Sequence, residues 1–186
     1  MNLSSIGRSG ALATMAGAAT FVIVVLTLHL LQSDYDPRHQ LMSELALGRH
    51  GWAMFVAFLG LATAVLGVQA AIAAFDGVGG YRVLLGAAGL FFLTAGVFPL
   101  GATSLIHISA IATAFVLSVL AMYFFPTGAG RASVAAPRAV SWPLAAGVAV
   151  SIALGQSIIP MGIGQRLAAA CLLVWLGIVG WKLFRL

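Results

Sequence analysis

Six apolar segments, separated by short connections rich in glycine and proline, make up most of the chain. They cover residues 10–32, 51–75, 82–98, 104–125, 139–159 and 166–184. A helix of about 20 apolar residues is long enough to cross the roughly 30 Å hydrocarbon core of a bilayer. The sequence therefore predicts an all-α polytopic membrane protein, in which six transmembrane helices form a single bundle domain over residues 1–186.

The composition excludes several other classes of protein. Only 7% of the residues are charged and 62% are hydrophobic, whereas about a quarter of the residues of a soluble domain are charged. The nine basic residues are scattered singly, which argues against nucleic acid as a partner. Cys171 is the only cysteine, so an intramolecular disulfide or a thiolate metal cluster is excluded. The first apolar segment is too long for a cleaved signal peptide and predicts a retained helix.

The basic residues also predict the orientation of the bundle. An even number of spans places both termini on one side of the membrane. The basic residues on that side are Arg8, Arg82, Arg131, Arg138, Lys182 and Arg185, and those on the other are Arg38, Arg49 and Arg166. Cytoplasmic loops carry an excess of lysine and arginine. We therefore expect a plasma-membrane protein with both termini in the cytoplasm.

Small residues at helical spacing predict where the helices pack against each other. They are Gly60, Ala64 and Gly67 in the second segment and Gly147, Ser151 and Gly155 in the fifth. Close packing of small residues is a main source of helix association in lipid. We interpret both stripes as packing surfaces, because the segments lack the repeated polar face of a water-filled pore.

The connection at residues 33–50, SDYDPRHQLMSELALGRH, contains three of the four acidic residues and two of the four histidines of the chain. Asp36 before Pro37 is typical of a helix start, and Gly48 of a helix end. The pattern predicts a short amphipathic helix over residues 37–47, lying in the membrane interface of the first extracytoplasmic loop. Its polar face would carry His39, Gln40 and Ser43 with Glu44 at the edge, and its apolar face Leu41, Met42 and Leu45.

Other polar residues are predicted at the same side of the membrane, near the ends of the apolar segments. They are His29, His107, Gln156, Gln165 and Arg166. Ionisable groups at membrane depth are costly and usually serve a function. We therefore predict a polar extracytoplasmic site with His107, Glu44 and Ser43 as candidate catalytic residues. The candidate ligand-binding residues are Arg166, His39, Asp36, Gln165 and Gln156.

Structural roles compete with these assignments. Asp36 is also suited to capping a helix, and His29 to a hydrogen bond at a helix end. His50 and the charged residues Asp34, Arg38 and Arg49 are suited to a solvated interface. A buried guanidinium or imidazole needs a partner, and the carboxylates of the first loop are the nearest expected partners for Arg166 and His107.

Three functions are compatible with such a site. In the first, it binds or acts on the polar head group of a membrane lipid or another small polar ligand, with Arg166 holding a phosphate or carboxylate. In the second, it binds zinc or another divalent metal through ligands such as His107, His39, Asp36 and His29, with haem as a weaker variant. In the third, the protein is a non-enzymatic subunit that contacts other membrane subunits.

Short motifs along nearly the whole chain carry a family resemblance. They are AspPro at 36–37, SerGluLeu at 43–45, GlyTrp at 51–52, AlaGlyValPhePro at 95–99, HisIleSerAla at 107–110 and GlnArg at 165–166, ahead of Trp175. The chain resembles the uncharacterised prokaryotic membrane family called domain of unknown function 998. More distantly, it is similar to the Frag1/DRAM/Sfk1 group of six-span eukaryotic proteins, which are associated with lipid remodelling. The resemblance implies a six-span architecture and a shared outer polar site. Leu100 and Gln165 stand where acidic residues are expected, so two carboxylates of a metal site are missing.

Overall fold

A computed structural model describes residues 3–75, 79–101, 103–128, 131–155 and 157–186. Within these residues the chain forms six α-helices. They are α1 (Leu3–Leu31), α2 (Ala53–Phe75), α3 (Gly80–Val97), α4 (Ser104–Phe124), α5 (Arg138–Leu154) and α6 (Met161–Phe184). A 3₁₀ segment, Met42–Leu47, lies in the first loop, residues 32–52.

Five of the six helices are long and apolar enough to cross a membrane, and they identify a multi-pass membrane protein. They are α1, α2, α3, α4 and α6. Helix α5 is apolar but has only 17 residues, which gives a rise of about 25 Å. The spanning segments predicted at 10–32, 51–75, 82–98, 104–125 and 166–184 thus correspond to helices of membrane-spanning length.

Each helix packs against its neighbour in the chain, and α6 closes the bundle by packing against α1. The glycine stripes lie at these interfaces, as predicted. A methyl group at Gly67 of α2 would lie 2.8 Å from the carbonyl oxygen of Gly10 in α1, and one at Gly164 of α6 would lie 2.6 Å from Cα of Gly155. The helices approach this closely because glycine has no side chain to separate them.

Helix α1 begins at Leu3 instead of residue 10, and two boundaries at the connection between α5 and α6 also differ from the prediction. Helix α5 ends at Leu154 instead of residue 159, and α6 begins at Met161 instead of residue 166. Pro160 precedes the first residue of α6, where its missing N–H costs no helical hydrogen bond. Consequently Gln165 and Arg166 lie in the second turn of α6 and face the first loop.

The predicted amphipathic helix over residues 37–47 is not formed as one helix. Residues 37–39 make a turn, Leu41 is extended with ψ 148°, and only Met42–Leu47 is helical, in the 3₁₀ form. The main-chain carbonyls of the loop explain the difference, because they bind α6. The carbonyl of Arg38 accepts a hydrogen bond from the Ile163 N–H at 3.2 Å, and that of Gln40 accepts one from Arg166 at 3.0 Å. Tertiary hydrogen bonds therefore replace the helical ones.

Candidate functional site

The guanidinium of Arg166 connects α6, α1 and the first loop. Its Nη1 donates to the carbonyl oxygens of Gln40 at 3.0 Å and Gly162 at 2.8 Å. Its Nη2 donates to Nε2 of His29 at 2.9 Å and to the hydroxyl oxygen of Tyr35. We call Arg166, His29, Tyr35 and these two carbonyls the Arg166 cluster.

The other members of the Arg166 cluster are also fully engaged. His29 Nδ1 lies 2.6 Å from the carbonyl oxygen of Val25, so Nδ1 carries the proton and Nε2 is free to accept from Arg166. The Tyr35 hydroxyl lies 2.8 Å from the Leu41 carbonyl oxygen and 3.1 Å from that of Gln40. Burial raises the pKa of Tyr35 above its ordinary value of 10.0, although the Arg166 guanidinium acts in the opposite direction.

These contacts differ from the ones that the sequence predicted for Arg166. Sequence reasoning expected loop carboxylates as its partners and a ligand anion on its guanidinium. In the structure all four Nη–H groups are directed at a phenol, an imidazole and two carbonyls. The arrangement fixes the first loop to α6.

Backbone contacts at the start of α6 hold the same loop. A methyl group at Gly162 would lie 2.5 Å from the Gln40 carbonyl oxygen and 2.7 Å from those of Pro37 and Arg38. The Met42 N–H donates to Oε1 of Gln165 at 2.6 Å. The free N–H groups that begin a helix attract carbonyl oxygens, and the loop supplies these oxygens. Gln165 is thus turned towards the loop, as the sequence predicts.

His107 is 98% buried in the first turn of α4, against the end of α3. Its Nδ1 lies 2.8 Å from the carbonyl oxygen of Ala95 and 3.0 Å from that of Phe98. In a continuing helix the Ala95 carbonyl would accept from the N–H of residue 99, but that residue is Pro99 and has no N–H. The imidazole N–H replaces the missing donor.

The second nitrogen of His107 has no such partner. Within the residues that the structure describes, Nε2 is buried and makes no hydrogen bond. The ring packs edge-on against Phe58, with the ring centres 5.4 Å apart. A buried polar atom without a partner costs about 1–3 kcal/mol. Such atoms are rare in folded proteins and call for an explanation, and a ligand is one.

His107 lies at the wall of a cleft of about 340 Å³ between α4, α5, α6 and the first loop. The other polar residues of the cleft are Ser43 and Gln165. The apolar wall is formed by Leu41, Ile108, Ile111, Ala112, Phe115, Ile152, Gly155 and Met161. Ile108 is 54% exposed and Met161 46% exposed, so the cleft opens on the outer surface of the bundle. We call it the α4–α6 cleft.

Ser43 and Glu44, the other candidate catalytic residues, differ in what they contact. Ser43 is 98% buried, contrary to its predicted place on a polar face, and it shares the α4–α6 cleft with His107. Glu44 accepts from the Leu41 N–H at 2.8 Å and from Nε2 of Gln40 at 3.3 Å. In the part of the chain that is described, no hydrogen bond joins Ser43 to His107, so a serine–histidine pair is not assembled.

Asp36 and His39 form an exposed pair in the first loop, with Asp36 Oδ2 lying 2.7 Å from His39 Nδ1. The imidazole of His39, together with the Arg38 N–H, holds the pKa of Asp36 below its ordinary value. Asp36 caps the turn that follows it rather than the predicted helix, because Oδ1 accepts from the Arg38 N–H at 2.9 Å.

The residues suggested as metal ligands are not brought together. His29 belongs to the Arg166 cluster, His107 to the α4–α6 cleft, and Asp36 with His39 to the exposed loop. Among residues 3–75, 79–101, 103–128, 131–155 and 157–186, no group of three His, Cys, Asp or Glu side chains could hold a metal ion. The donor set for zinc is therefore not assembled there.

The sequence analysis missed two residues that shape the loop. Tyr35 completes the Arg166 cluster, and Gln32 donates from Nε2 to the carbonyls of Leu45 at 3.0 Å and Arg49 at 2.8 Å. Each of these residues has a polar group close to the end of the first apolar segment. This position was the signal that could have identified them. Gln156, a predicted ligand-binding residue, lies outside the described residues.

Comparisons with known proteins agree with the family predicted from the sequence. A family model described as "Protein of unknown function (DUF998)" matches residues 15–182. No curated protein and no solved structure matches the chain. The similarity to the Frag1/DRAM/Sfk1 proteins therefore stays a prediction. Because the family match covers nearly the whole chain, this multi-pass membrane protein belongs to the DUF998 family.

Proposed function

We propose that the protein binds a membrane lipid in the α4–α6 cleft, with the lipid head group near His107 and Ser43. The observation that carries the proposal is a pair of buried polar side chains in an otherwise apolar cleft that opens on the outside of the helix bundle. Ligand sites commonly combine an apolar wall with a few such polar groups. A lipid matches this pattern, because its chain is apolar and its head group is polar.

We also infer the topology of the bundle in the membrane. Helix α4 ends and α6 begins at opposite ends of the bundle, so α5 has to connect them and becomes the sixth span. The excess of basic residues near the termini places them in the cytoplasm and the first loop outside the plasma membrane. The α4–α6 cleft then lies at the outer leaflet, where a lipid enters it sideways from the bilayer.

The cleft is large enough for only part of a lipid. Its volume of about 340 Å³ accommodates a small head group and the first part of one acyl chain, and the remaining chain stays in the bilayer. Binding is the function that the geometry supports, because the described residues do not assemble a nucleophile with its base. A chemical step on the lipid would need Ser43 and His107 to come within about 3 Å of each other.

The proposal is tested by photo-crosslinking in phosphatidylcholine vesicles that contain the full chain. The probes are a diacylglycerol and a phosphatidic acid, each with a diazirine on one acyl chain. We expect crosslinks to Ile111, Ala112 or Ile152 of the cleft. Ala112→Trp fills the cleft and should reduce these crosslinks several-fold.

Ala170→Trp is the matched control, because Ala170 is also exposed but lies on α6 outside the α4–α6 cleft. This variant should keep the crosslinks of the unmodified protein. Equal labelling of all lipid-facing helices, unchanged by Ala112→Trp, would refute lipid binding in the cleft.

A further inference from the structure

We propose that the α4–α6 cleft selects a neutral lipid whose head group ends in a hydroxyl, such as a diacylglycerol, and that His107 Nε2 accepts the hydrogen bond from that hydroxyl. This inference rests on the proposed lipid-binding function and specifies its ligand. It starts from which nitrogen of His107 carries the proton.

The contacts at the end of α3 determine the tautomer. Nδ1 faces two carbonyl oxygens, those of Ala95 and Phe98, and a carbonyl oxygen can only accept. Nδ1 therefore carries the proton, which leaves Nε2 of the neutral ring with a lone pair and no proton. Pro99 cannot supply an N–H to the Ala95 carbonyl. The His107 ring is therefore held in the orientation in which Nδ1 donates to that carbonyl.

The described side chains that line the cleft around His107 are uncharged. The ring is in contact with Phe58, and the polar groups of the cleft beside it are the uncharged side chains Ser43 and Gln165. The one imidazole–carboxylate contact in the described part of the chain joins His39 to Asp36. A charged imidazole buried without a counter-ion would be costly.

The lone pair on Nε2 of His107 favours some lipid head groups over others. A hydroxyl donates a hydrogen bond to it and removes the cost of an unpaired buried acceptor. A phosphate bears negative oxygens, which the lone pair repels. Among the described residues, the cleft lining contains no cation, and Arg166, the residue next to Gln165, has its four Nη–H groups already engaged by the loop, α1 and α6.

Ser43 extends the recognition, because its hydroxyl both donates and accepts and lies in the same cleft. It is suited to the ester carbonyl next to the lipid hydroxyl. Nε2 itself is covered in the structure, and the ring packs against Phe58, so the ligand has to displace neighbouring side chains before it reaches this nitrogen. That displacement is favoured because His107 Nε2 gains a hydrogen-bond donor in place of its apolar surroundings.

The test compares three lipids with identical diazirine-bearing acyl chains in phosphatidylcholine vesicles. They are a diacylglycerol, its methyl ether, which lacks the donor, and a phosphatidic acid. For the unmodified protein we expect the diacylglycerol to crosslink to the cleft about tenfold more strongly than the other two, the effect of one well-placed hydrogen bond.

Two variants of His107 separate recognition from folding. In His107→Asn the amide nitrogen takes the place of Nδ1 and keeps the hydrogen bond to α3, but Nε2 is lost. In His107→Gln the amide reaches the position of Nε2 and can present an oxygen there. We expect all three lipids to crosslink equally and weakly to the cleft of His107→Asn. In His107→Gln we expect part of the preference for the diacylglycerol to return.

Each other outcome has a definite meaning. Equal labelling of all three lipids in the cleft of the unmodified protein would overturn the selectivity and leave lipid binding intact. A preference for phosphatidic acid would overturn it as well and would point to a cationic site. Absence of labelling in the cleft by any of the lipids would overturn the proposed function itself.

Discussion

Two polar centres, the half-buried Arg166 cluster and the buried His107, lie at the same end of this helix bundle, and they differ in how completely their hydrogen bonds are satisfied. In the Arg166 cluster, donors and acceptors of three side chains and several carbonyls are matched. At His107 one ring nitrogen is bound and the other is left unpaired. A matched network stabilises the structure, whereas an unmatched buried group has a cost that calls for an explanation. The comparison favours a structural role for Arg166, and the unpaired nitrogen supports the binding role that we propose for His107.

Replacement of Arg166 tests this assignment most severely. Arg166→Leu removes four hydrogen bonds and leaves Nε2 of His29 and the Tyr35 hydroxyl oxygen without their donor. We expect a loss of about 3 kcal/mol in the free energy of unfolding, measured by thermal or denaturant unfolding in mild detergent. Arg166→Lys should recover only part of the loss, because the ammonium group of lysine cannot reproduce the planar set of N–H donors of a guanidinium. Unchanged stability in Arg166→Leu would contradict a structural role.

A glycine substitution tests whether the loop needs its close approach to α6. In Gly162→Ala the new methyl group would lie within 2.7 Å of three loop carbonyl oxygens, so the loop has to move. We expect a loss of about 1–3 kcal/mol in unfolding free energy, together with faster proteolysis in the first loop.

Gly177→Ala on the same helix is the control, because a methyl group there meets no atom within 4 Å. Since alanine favours a helix more than glycine does, this variant should be unchanged or more stable by up to about 1 kcal/mol. Equal effects of the two substitutions would show that the loop contact is unimportant.

The two nitrogens of His107 can be separated by their effects on stability. His107→Leu leaves the Ala95 carbonyl without a donor and should cost about 1–2 kcal/mol. His107→Asn keeps a donor there and should cost less than about 1 kcal/mol, because the atom it removes is unpaired. Unfolding in detergent measures both values. If the asparagine variant were the less stable of the two, Nδ1 would not be the nitrogen that supports α3.

The smallest expected effect is a pH dependence of the Arg166 cluster. The pKa of Tyr35 is raised above 10.0 by burial, so folding favours the neutral phenol. The stabilisation is complete below pH 10.0 and is lost as the pH rises through the higher folded-state pKa. Phenolate absorbance should show a component that ionises late, and Tyr35→Phe should remove that component. An ordinary pKa in every tyrosine would contradict the burial of this hydroxyl.

Much of this organisation could be predicted from the sequence, because it depends on hydropathy and helix position. Long apolar segments predicted the membrane helices, and the positions of His29, His107 and Arg166 near segment ends predicted that they lie at one end of the bundle. The glycine stripes predicted packing surfaces on the second and fifth segments, and these surfaces face α1 and α6 in the structure.

The pairing of the polar groups could not be predicted in the same way. Sequence reasoning matched cations with carboxylates by charge, whereas Arg166 binds carbonyls, a phenol and an imidazole. The first loop has helical spacing, yet its carbonyls of Arg38 and Gln40 bind residues more than a hundred positions away. Such long-range contacts outweigh local propensity, and periodicity carries no information about them.

The link between Gln40 and Arg166, 126 positions apart, has a consequence for biosynthesis. The first extramembrane segment leaves the ribosome early, but its Arg38 carbonyl meets the Ile163 N–H, and its Gln40 carbonyl meets Arg166, only after the final helix has been inserted. A chain truncated before α6 would therefore lack these two contacts between the first loop and the rest of the bundle.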